Sequence, residues 1–161
     1  DQKSCAAAGL LLWKHIYNKH PERFTVSYNA SGKPSVANAP FFNLSHSNDF
    51  VMLAVSDTPV GCDIEKLHKA VFTHVFHPNE LNALSNLPSG DIQNHEFLRL
   101  WTAKEAFLKA IGTGIDAKAS SYDFSKSNTI SLYDGSFWKL EHHTVCDFPD
   151  YLSCVCYKCL Q

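Results

Sequence analysis

The sequence predicts an α+β fold, and three patterns in its 161 residues carry that prediction. A stretch from Asp91 to Ile111 places apolar residues at helical spacing and stops at Gly112, a residue type that commonly ends helices. From Tyr122 to Tyr157, short apolar runs alternate with turns such as Asp134-Gly135, as they do in β-hairpins. No repeat or flexible linker divides the chain. We therefore expect one compact unit in which helices pack on antiparallel strands.

The first half of the chain predicts one helix and three strands. Apolar residues recur from Ala6 to Ile16 at helical spacing, and we expect a packed helix with the repeat Ala6, Leu10, Trp13 and Tyr17 and with Leu11 and Leu12 beside it. A turn at Ser31 to Pro34 follows, because Gly32 and Pro34 interrupt regular structure. The expected strands are Phe41 to Leu44, Phe50 to Ser56 and Val60 to Glu65, with the polar residues Ser45 to Asp49 forming a loop between the first two.

The second half predicts two helices and then hairpins. Pro78 suits the first turn of a short helix over Asn79 to Leu87, because proline lacks only an N–H that has no partner there. The long helix from Asp91 to Ile111 has as its apolar stripe Phe97, Leu100, Trp101, Phe107, Leu108 and Ile111. The strands expected after it are Tyr122 to Ser125, Thr129 to Tyr133, Phe137 to Val145 and Tyr151 to Tyr157.

Composition excludes several functional classes. The net charge of −2 lacks the basic excess expected of a nucleic-acid-binding domain. The longest apolar run, Cys5 to Trp13, is far shorter than the roughly 20 residues that a membrane span requires. The start of the chain does not resemble a secretory signal. We therefore expect a cytoplasmic protein that binds neither nucleic acid nor membrane.

Three of the six cysteines crowd the C-terminus as Cys154-x-Cys156-x-x-Cys159. A metal clip is one interpretation, with Cys146 as fourth ligand. The favoured alternative is that Cys154 and Cys156 pack as small apolar residues on one face of a strand. A disulfide scaffold is disfavoured in a chain with this large an apolar fraction.

Two clusters carry residues suited to phosphate chemistry. Asp63 and Glu65 are two apart on a predicted strand, so both side chains lie on one face, where two carboxylates repel unless a cation separates them. Glu105 and Lys109 are four apart on the long helix and share a face. Each pair alone could be a solvated surface feature. Together they supply hard oxygen ligands for Mg²⁺ and an ammonium for phosphate oxygens.

The polar segment Ser45-His46-Ser47 is a candidate phosphate grip, although a lone loop histidine is more often only solvated. Other reaction classes lack their signatures. No serine is fixed beside a base, and neither a His-Glu-x-x-His motif nor a Walker-type phosphate loop occurs. The His142-His143 pair points to opposite faces of a predicted strand and is poorly placed to chelate one ion.

Four motifs, in order, closely resemble the 4′-phosphopantetheinyl transferase superfamily, in its larger single-chain class that activates peptide and polyketide synthetases. The motifs are Gly32-Lys33-Pro34, Phe42-Asn43-Leu44-Ser45-His46-Ser47, Val60-Gly61-Cys62-Asp63-Ile64-Glu65 and the series from Phe97 through Trp101-Thr102-x-Lys104-Glu105-Ala106-x-x-Lys109 to Gly112-x-Gly114. The resemblance implies two similar α+β halves related by a pseudo-twofold axis. They would be residues 1–58, a half that looks shortened relative to the family, and residues 59–161, which carry the metal site.

The resemblance also implies roles for individual residues. The ligands of Mg²⁺, for which Mn²⁺ could substitute, would be Asp63, Glu65 and Glu105, and the catalytic groups would be Glu105 and Lys109. Coenzyme A would bind through Lys33, Pro34, Ser45, His46, Lys104 and Lys109, with Glu80 near its phosphates.

The implied reaction moves 4′-phosphopantetheine from coenzyme A to a serine of an acyl or peptidyl carrier protein and releases 3′,5′-adenosine diphosphate. We expect a monomer, because a chain with both halves fused needs no second copy to complete its cleft. The alternatives are a catalytically weak homologue that only binds coenzyme A or carrier protein, and a Mg²⁺-dependent phosphotransferase acting on another nucleotide.

Overall fold

Three α-helices and eight strands form the part of the fold that the computed structural model describes, which covers residues 2–19, 25–67, 74–116 and 118–160. The helices are α1 (Gln2–His15), α2 (Pro78–Ser85) and α3 (Asp91–Ile111). The strands are β1 (Val26–Tyr28), β2 (Pro34–Val36), β3 (Phe41–Ser47), β4 (Phe50–Ser56), β5 (Val60–Lys66), β6 (Thr129–Ser131), β7 (Phe137–Val145) and β8 (Phe148–Lys158). The α+β prediction is confirmed. The twofold relation between halves divided after residue 58 stays a prediction.

The long helix α3 spans the predicted residues and organises the main core. Its buried face includes Phe97, Leu100, Phe107 and Leu108, which pack with residues of β7 and β8. Gly112 ends the helix in a left-handed conformation with φ 77°, and its N–H donates to the carbonyl of Leu108. The 21-residue helix is therefore fixed at its end next to the candidate site.

A four-stranded antiparallel sheet in the order β5-β8-β7-β6 supports α3. Gly61 of β5 meets the helix so closely that a Cβ there would lie 2.1 Å from the carbonyl oxygen of Ala106 and 2.3 Å from the nitrogen of Ala110. Alternate residues of a strand share a face, so Asp63 is directed to the same side as Gly61. The sheet thus presents Asp63 to α3.

The β3–β4 hairpin differs from the prediction, because Ser45 to Ser47 continue the strand instead of forming a loop. Ser47 pairs with Phe50, which leaves a turn of only two residues, and Asn48 in that turn has a positive φ of 48°. Ser45 and Ser47 are buried and hydrogen-bonded, while His46 between them is exposed. The polar residues Ser45 and Ser47 therefore have hydrogen-bond partners inside the protein and do not form a solvent-exposed loop.

The predicted strand over Tyr122 to Ser125 is wrong. The backbone groups of this segment pair with side chains instead, because Lys104 Nζ donates to the Tyr122 carbonyl and the Phe124 N–H donates to Glu80. Smaller differences lie at element ends: α2 stops at Ser85, and β6 stops at Ser131. The short strands β1 and β2 were not expected, and β2 begins at Pro34, which was predicted to lie in a turn.

The predicted apolar repeat of α1 is packed only in part, because Tyr17 contacts the cluster of Ile16, Val36 and Phe42 while Leu10 and Trp13 are largely exposed. Leu10 and Trp13 are 68% and 57% exposed, whereas Leu12 and Ile16 pack against Val36. The apolar residues of this helix surround much of its circumference, so spacing alone does not select the buried side. Within the described ranges, no helix combines the length and apolar character needed to cross a bilayer.

Candidate functional site

An ion pair between β5 and α3 forms the centre of the candidate site. Lys109 Nζ lies 2.6 Å from Asp63 Oδ1 and donates a hydrogen bond to it. Asp63 is only 2% exposed, and a carboxylate buried to that extent requires a charged or hydrogen-bonding partner. The close approach at Gly61 brings the helix near enough to supply that partner.

Ser45 of β3 completes this pair. Its Oγ donates to Asp63 Oδ1 at 2.8 Å and accepts a hydrogen bond from Lys109 Nζ at 3.1 Å. The second carboxylate oxygen, Asp63 Oδ2, is buried and has no hydrogen-bond partner among the described residues. An orphaned carboxylate oxygen is costly to bury, and a cation would relieve that cost.

Glu65 and Glu105 contribute further negative charge near this cluster. Burial raises the pKa of Glu105 to about 7; Lys109 opposes that shift, while the charges of Asp63 and Glu65 reinforce it. Burial alone would lower the pKa of Lys109, but the Asp63 carboxylate and Glu105 raise it above its ordinary value. The lysine therefore stays an ammonium among three carboxyl groups that interact electrostatically.

The donor chemistry of these groups fits a divalent cation. Carboxylate oxygens are the ligands that Mg²⁺ prefers, and the unpartnered Asp63 Oδ2 is a free acceptor at the centre of the negative charge. Across residues 2–19, 25–67, 74–116 and 118–160, however, no three His, Cys, Asp or Glu side chains are grouped closely enough to form a finished metal site. The carboxyl groups of Asp63, Glu65 and Glu105 interact electrostatically, but they are not close enough together to form a complete ligand set.

Two of the three C-terminal cysteines, Cys154 and Cys156, belong to the hydrophobic core, whereas Cys159 is half-buried. Cys154 and Cys156 are fully buried, and both lie in the cluster that contains α3. Burial raises the pKa of Cys156 to about 12, so its thiol is protonated near neutral pH. The favoured interpretation, packing as small apolar residues, agrees with this placement.

A cleft beside the ion pair brings together other predicted residues. Lys33 and Pro34 line a space of about 370 Å³ with Phe41, Phe42 and Ile111, and they border a smaller one of about 210 Å³ with Lys109. A further cleft of about 550 Å³, lined by residues of α2 and α3 such as Leu87 and Ile92, contains none of the candidate groups. The candidate residues therefore line the two smaller clefts and not the cleft of about 550 Å³.

Lys33 acts partly as an internal clamp at this cleft. Its Nζ donates to the carbonyls of Val60 at 2.9 Å and Ala110 at 3.0 Å, and so joins the start of β5 to the end of α3. Burial lowers the pKa of Lys33, an effect that the nearby Cys62 and Cys156 sulfurs partly oppose. The stem of Lys33 lines the cleft while its ammonium contacts the backbone.

Three predicted site residues lie apart from the ion pair. His46 is exposed on the strand face opposite Ser45, as neighbouring strand residues must be. Lys104 Nζ is buried 2.9 Å from Glu80 Oε2 and donates to the carbonyls of Ala119 and Tyr122. Burial lowers the pKa of Lys104, which the Glu80 charge opposes. The structure therefore places Lys104 and Glu80 in an internal pair that links α3 to α2.

The sequence suggested Ser47 only as part of the phosphate-binding segment Ser45 to Ser47 and gave Asn43 no role of its own. Ser47 Oγ donates to Glu65 Oε2 at 3.0 Å, and Asn43 Oδ1 accepts from the Cys62 N–H at 2.9 Å. Their signal in the sequence is the alternation Asn43-x-Ser45-x-Ser47, which puts three small polar residues on one face of β3 while Phe42, Leu44 and His46 lie on the other. The alternation predicts only that the three side chains share a face, and the structure shows that this face bonds to β5.

Comparison with known proteins identifies the family. The model of the 4′-phosphopantetheinyl transferase superfamily matches residues 59–156. The 4′-phosphopantetheinyl transferase psf-1 of Bacillus pumilus is 38% identical over 123 residues, which cover 71% of this chain and 52% of the relative. The transferase gsp of Aneurinibacillus migulanus is 35% identical over 117 residues, covering 71% and 49%.

A third relative, the 4′-phosphopantetheinyl transferase ffp of Bacillus subtilis, is 32% identical over 142 residues, covering 83% of this chain and 59% of the relative. The chain spans about half the length of the curated relatives it matches. The matched region contains the strand and helix that supply Asp63, Glu65, Glu105 and Lys109. On the family match and these identities, the chain belongs to the 4′-phosphopantetheinyl transferase superfamily.

Proposed function

We propose that the protein transfers the 4′-phosphopantetheine group of coenzyme A, with Mg²⁺, to a serine of an acyl or peptidyl carrier protein. The observation that carries this proposal is the buried Asp63–Lys109 ion pair, which leaves Asp63 Oδ2 unpartnered among the described residues and is surrounded by the charges of Glu65 and Glu105. Excess carboxylate beside a single ammonium suits a reaction that needs both a cation site and a positive group at a phosphate.

Asp63, Glu65 and Glu105 would hold the ion, and Mn²⁺ could replace Mg²⁺ there. When bound, the ion would supply Lewis-acid stabilisation of negative charge on the pyrophosphate of coenzyme A. The structure supports this assignment through donor type and charge, since all three are carboxyl groups that interact electrostatically.

In the reaction, the carrier serine oxygen forms a bond to the β-phosphorus of coenzyme A while the bond from that phosphorus to 3′,5′-adenosine diphosphate breaks. Glu105 would accept the serine proton; burial raises its pKa to about 7, an effect that a bound cation would oppose. Lys109 would place its ammonium against the phosphate oxygens as charge develops. Its raised pKa keeps it charged for that role.

The cleft lined by Lys33 and Pro34 would take the nucleotide end of coenzyme A, because it adjoins Lys109 and offers apolar walls such as Phe41 and Ile111. His46 at the surface stays a predicted phosphate contact. We assign Lys104 a structural role instead, because its ammonium is buried against Glu80 and two carbonyls.

The direct test incubates the full chain with coenzyme A, Mg²⁺ and an apo carrier protein and measures the carrier by mass spectrometry. We expect a gain of one 4′-phosphopantetheine that Asp63→Asn and Glu105→Gln abolish. Glu96→Gln is the matched control, because Glu96 lies on the same helix and pairs with Arg99 away from the ion pair. Transfer that persists in both site variants would reject the assigned residues.

A catalytically weak homologue remains the second candidate, favoured by the one observation that the carboxylates are not grouped as a finished metal site in the described part of the chain. Its signature would be coenzyme A binding, measured by calorimetry, with no mass gain on any carrier tested under the same conditions.

A further inference from the structure

Three side chains of β3 bind alternate backbone N–H groups along one edge of β5. Asn43 Oδ1 accepts from Cys62 N at 2.9 Å, Ser45 Oγ accepts from Ile64 N at 3.4 Å, and Ser47 Oγ accepts from Lys66 N at 3.1 Å. The other edge of β5 is paired with β8 in regular antiparallel register. Side chains of β3 thus take the place of a neighbouring strand's carbonyls, and the period of two fixes which β3 residue faces which β5 residue.

The backbone N–H groups determine where each serine hydroxyl donates. A hydroxyl has one proton to give, and an N–H can only donate, so Ser47 Oγ accepts from Lys66 and directs its own proton to Glu65 Oε2 at 3.0 Å. Ser45 Oγ likewise accepts from Ile64 N–H and Lys109 Nζ and donates to Asp63 Oδ1 at 2.8 Å. Ser45 thus bridges the Ile64 N–H and the Asp63 carboxylate, and Ser47 bridges the Lys66 N–H and the Glu65 carboxylate.

Both serines are shielded from water, with exposures of 7% for Ser45 and 8% for Ser47. Solvent cannot readily replace a lost hydroxyl there, so its removal would leave a backbone N–H and a carboxylate oxygen without that partner. The consequence is geometric. One oxygen of each carboxylate is tied to β3, and in Asp63 the other is the buried oxygen that lacks a partner in the described structure.

We propose that Ser45 and Ser47 are positioning residues that orient the Asp63 and Glu65 carboxylates for a divalent cation. This inference rests on the proposed function, since it assumes that these carboxylates bind the ion. Outer hydrogen bonds of this kind set the direction of ligand oxygens, and their loss typically weakens metal binding by about 10- to 100-fold.

Ser47 is the sharper of the two test positions, because it contacts Glu65 without touching Lys109 in the hydrogen bonds described. Ser47→Ala removes the hydroxyl, Ser47→Cys keeps the size but leaves a weak donor, and Ser47→Thr restores the hydroxyl on a residue that strands favour. The matched control is Ser136→Ala. Ser136 also donates to a carboxylate, Asp134 Oδ1 at 2.6 Å, in the turn between β6 and β7.

The experiment measures Mn²⁺ affinity of the full chain without coenzyme A, from the electron paramagnetic resonance signal of free Mn²⁺, after circular dichroism has checked the fold of each variant. We expect Ser47→Ala and Ser47→Cys to bind Mn²⁺ about 10-fold more weakly or worse, Ser47→Thr to recover most of the loss, and Ser136→Ala to match the wild type. Should Ser47→Ala not fold, the Cys and Thr variants give the comparison.

The outcomes distinguish failure of the positioning role from failure of the proposed transferase activity. Wild-type affinity in a folded Ser47→Ala or Ser47→Cys protein would overturn the positioning role while leaving the transferase proposal standing. Weakened Mn²⁺ binding in these variants, together with absence of transfer by the wild type, would support the positioning role and count against the reaction. A wild type that binds no Mn²⁺ would overturn the positioning role, and the transfer assay would decide the reaction separately.

Discussion

Gly61 is the position where a single methyl group would most directly separate the two halves of the candidate site. In Gly61→Ala the new Cβ would lie 2.1 Å from the Ala106 carbonyl oxygen, 2.3 Å from the Ala110 nitrogen and 2.9 Å from the Ala110 Cα. All three atoms belong to the backbone of α3, so no side-chain rotation relieves the clash. The helix must move away from β5, by about 1 Å or more to restore normal contact distances.

The cost follows from that displacement. Overpacking a core typically destabilises a protein by about 1 to 3 kcal/mol, and the rigid backbone neighbours place Gly61→Ala at the upper end. Reduced freedom of the unfolded chain returns about 0.4 to 1 kcal/mol. A net loss of roughly 2 kcal/mol corresponds to a fall in Tm of about 4 to 8 °C for a chain of this size.

Thermal unfolding followed by circular dichroism measures this effect, and carrier-protein transfer measures its consequence for the site. We expect transfer to fall as well, because a shift of α3 carries Lys109 away from Asp63, and a 1 Å misplacement can cost about 100-fold in rate. Gly9→Ala is the control. A Cβ at Gly9, in α1, meets nothing within 4 Å, so alanine there should keep or raise Tm. An unchanged Tm in Gly61→Ala would refute the argument from close approach.

The other stability predictions test the internal ion pair, the core and the exposed helix face. Lys104→Met should cost about 3 to 5 kcal/mol in guanidinium unfolding because it leaves the Glu80 carboxylate buried without its cation, and adding Glu80→Gln should recover part of that loss. Phe107→Ala should cost about 3 to 5 kcal/mol in the same assay, since this side chain is fully buried among aromatic rings; a loss below 1 kcal/mol would contradict its core position. Trp13→Ser should change the free energy of unfolding by less than about 0.5 kcal/mol, and a larger effect would show that this exposed residue is packed.

Elements with strong local signals were predicted well. Helix α3 and strand β7 have the predicted bounds, because apolar periodicity, a terminal glycine and a tight turn are all properties of neighbouring residues. The shared face of Asp63 and Glu65 follows equally from the two-residue period of a strand. The candidate residues that depend on one element's own geometry could therefore be named in advance.

The errors came where a residue's partner is distant in the sequence. Ser45 and Ser47 are polar, and polarity suggested an exposed loop, but their partners are carboxylates 18 residues away. Lys104 stands next to Glu105 in the same motif, yet it projects into the core to meet Glu80. Hydrogen-bond and ion-pair partners of this kind depend on packing that local patterns do not encode.

The sequence by itself determined the α+β class, the family resemblance and the set of acidic and basic side chains suited to phosphate chemistry, because motifs and periodicity are read from neighbouring positions. Only the tertiary structure decided that Lys109 pairs with Asp63, that two buried serines hold the strand carboxylates, and that Lys104 is internal. The physical reason is that burial of a charged group is tolerated only with a partner, and close packing of β5, α3 and β3 selects which partner is in reach.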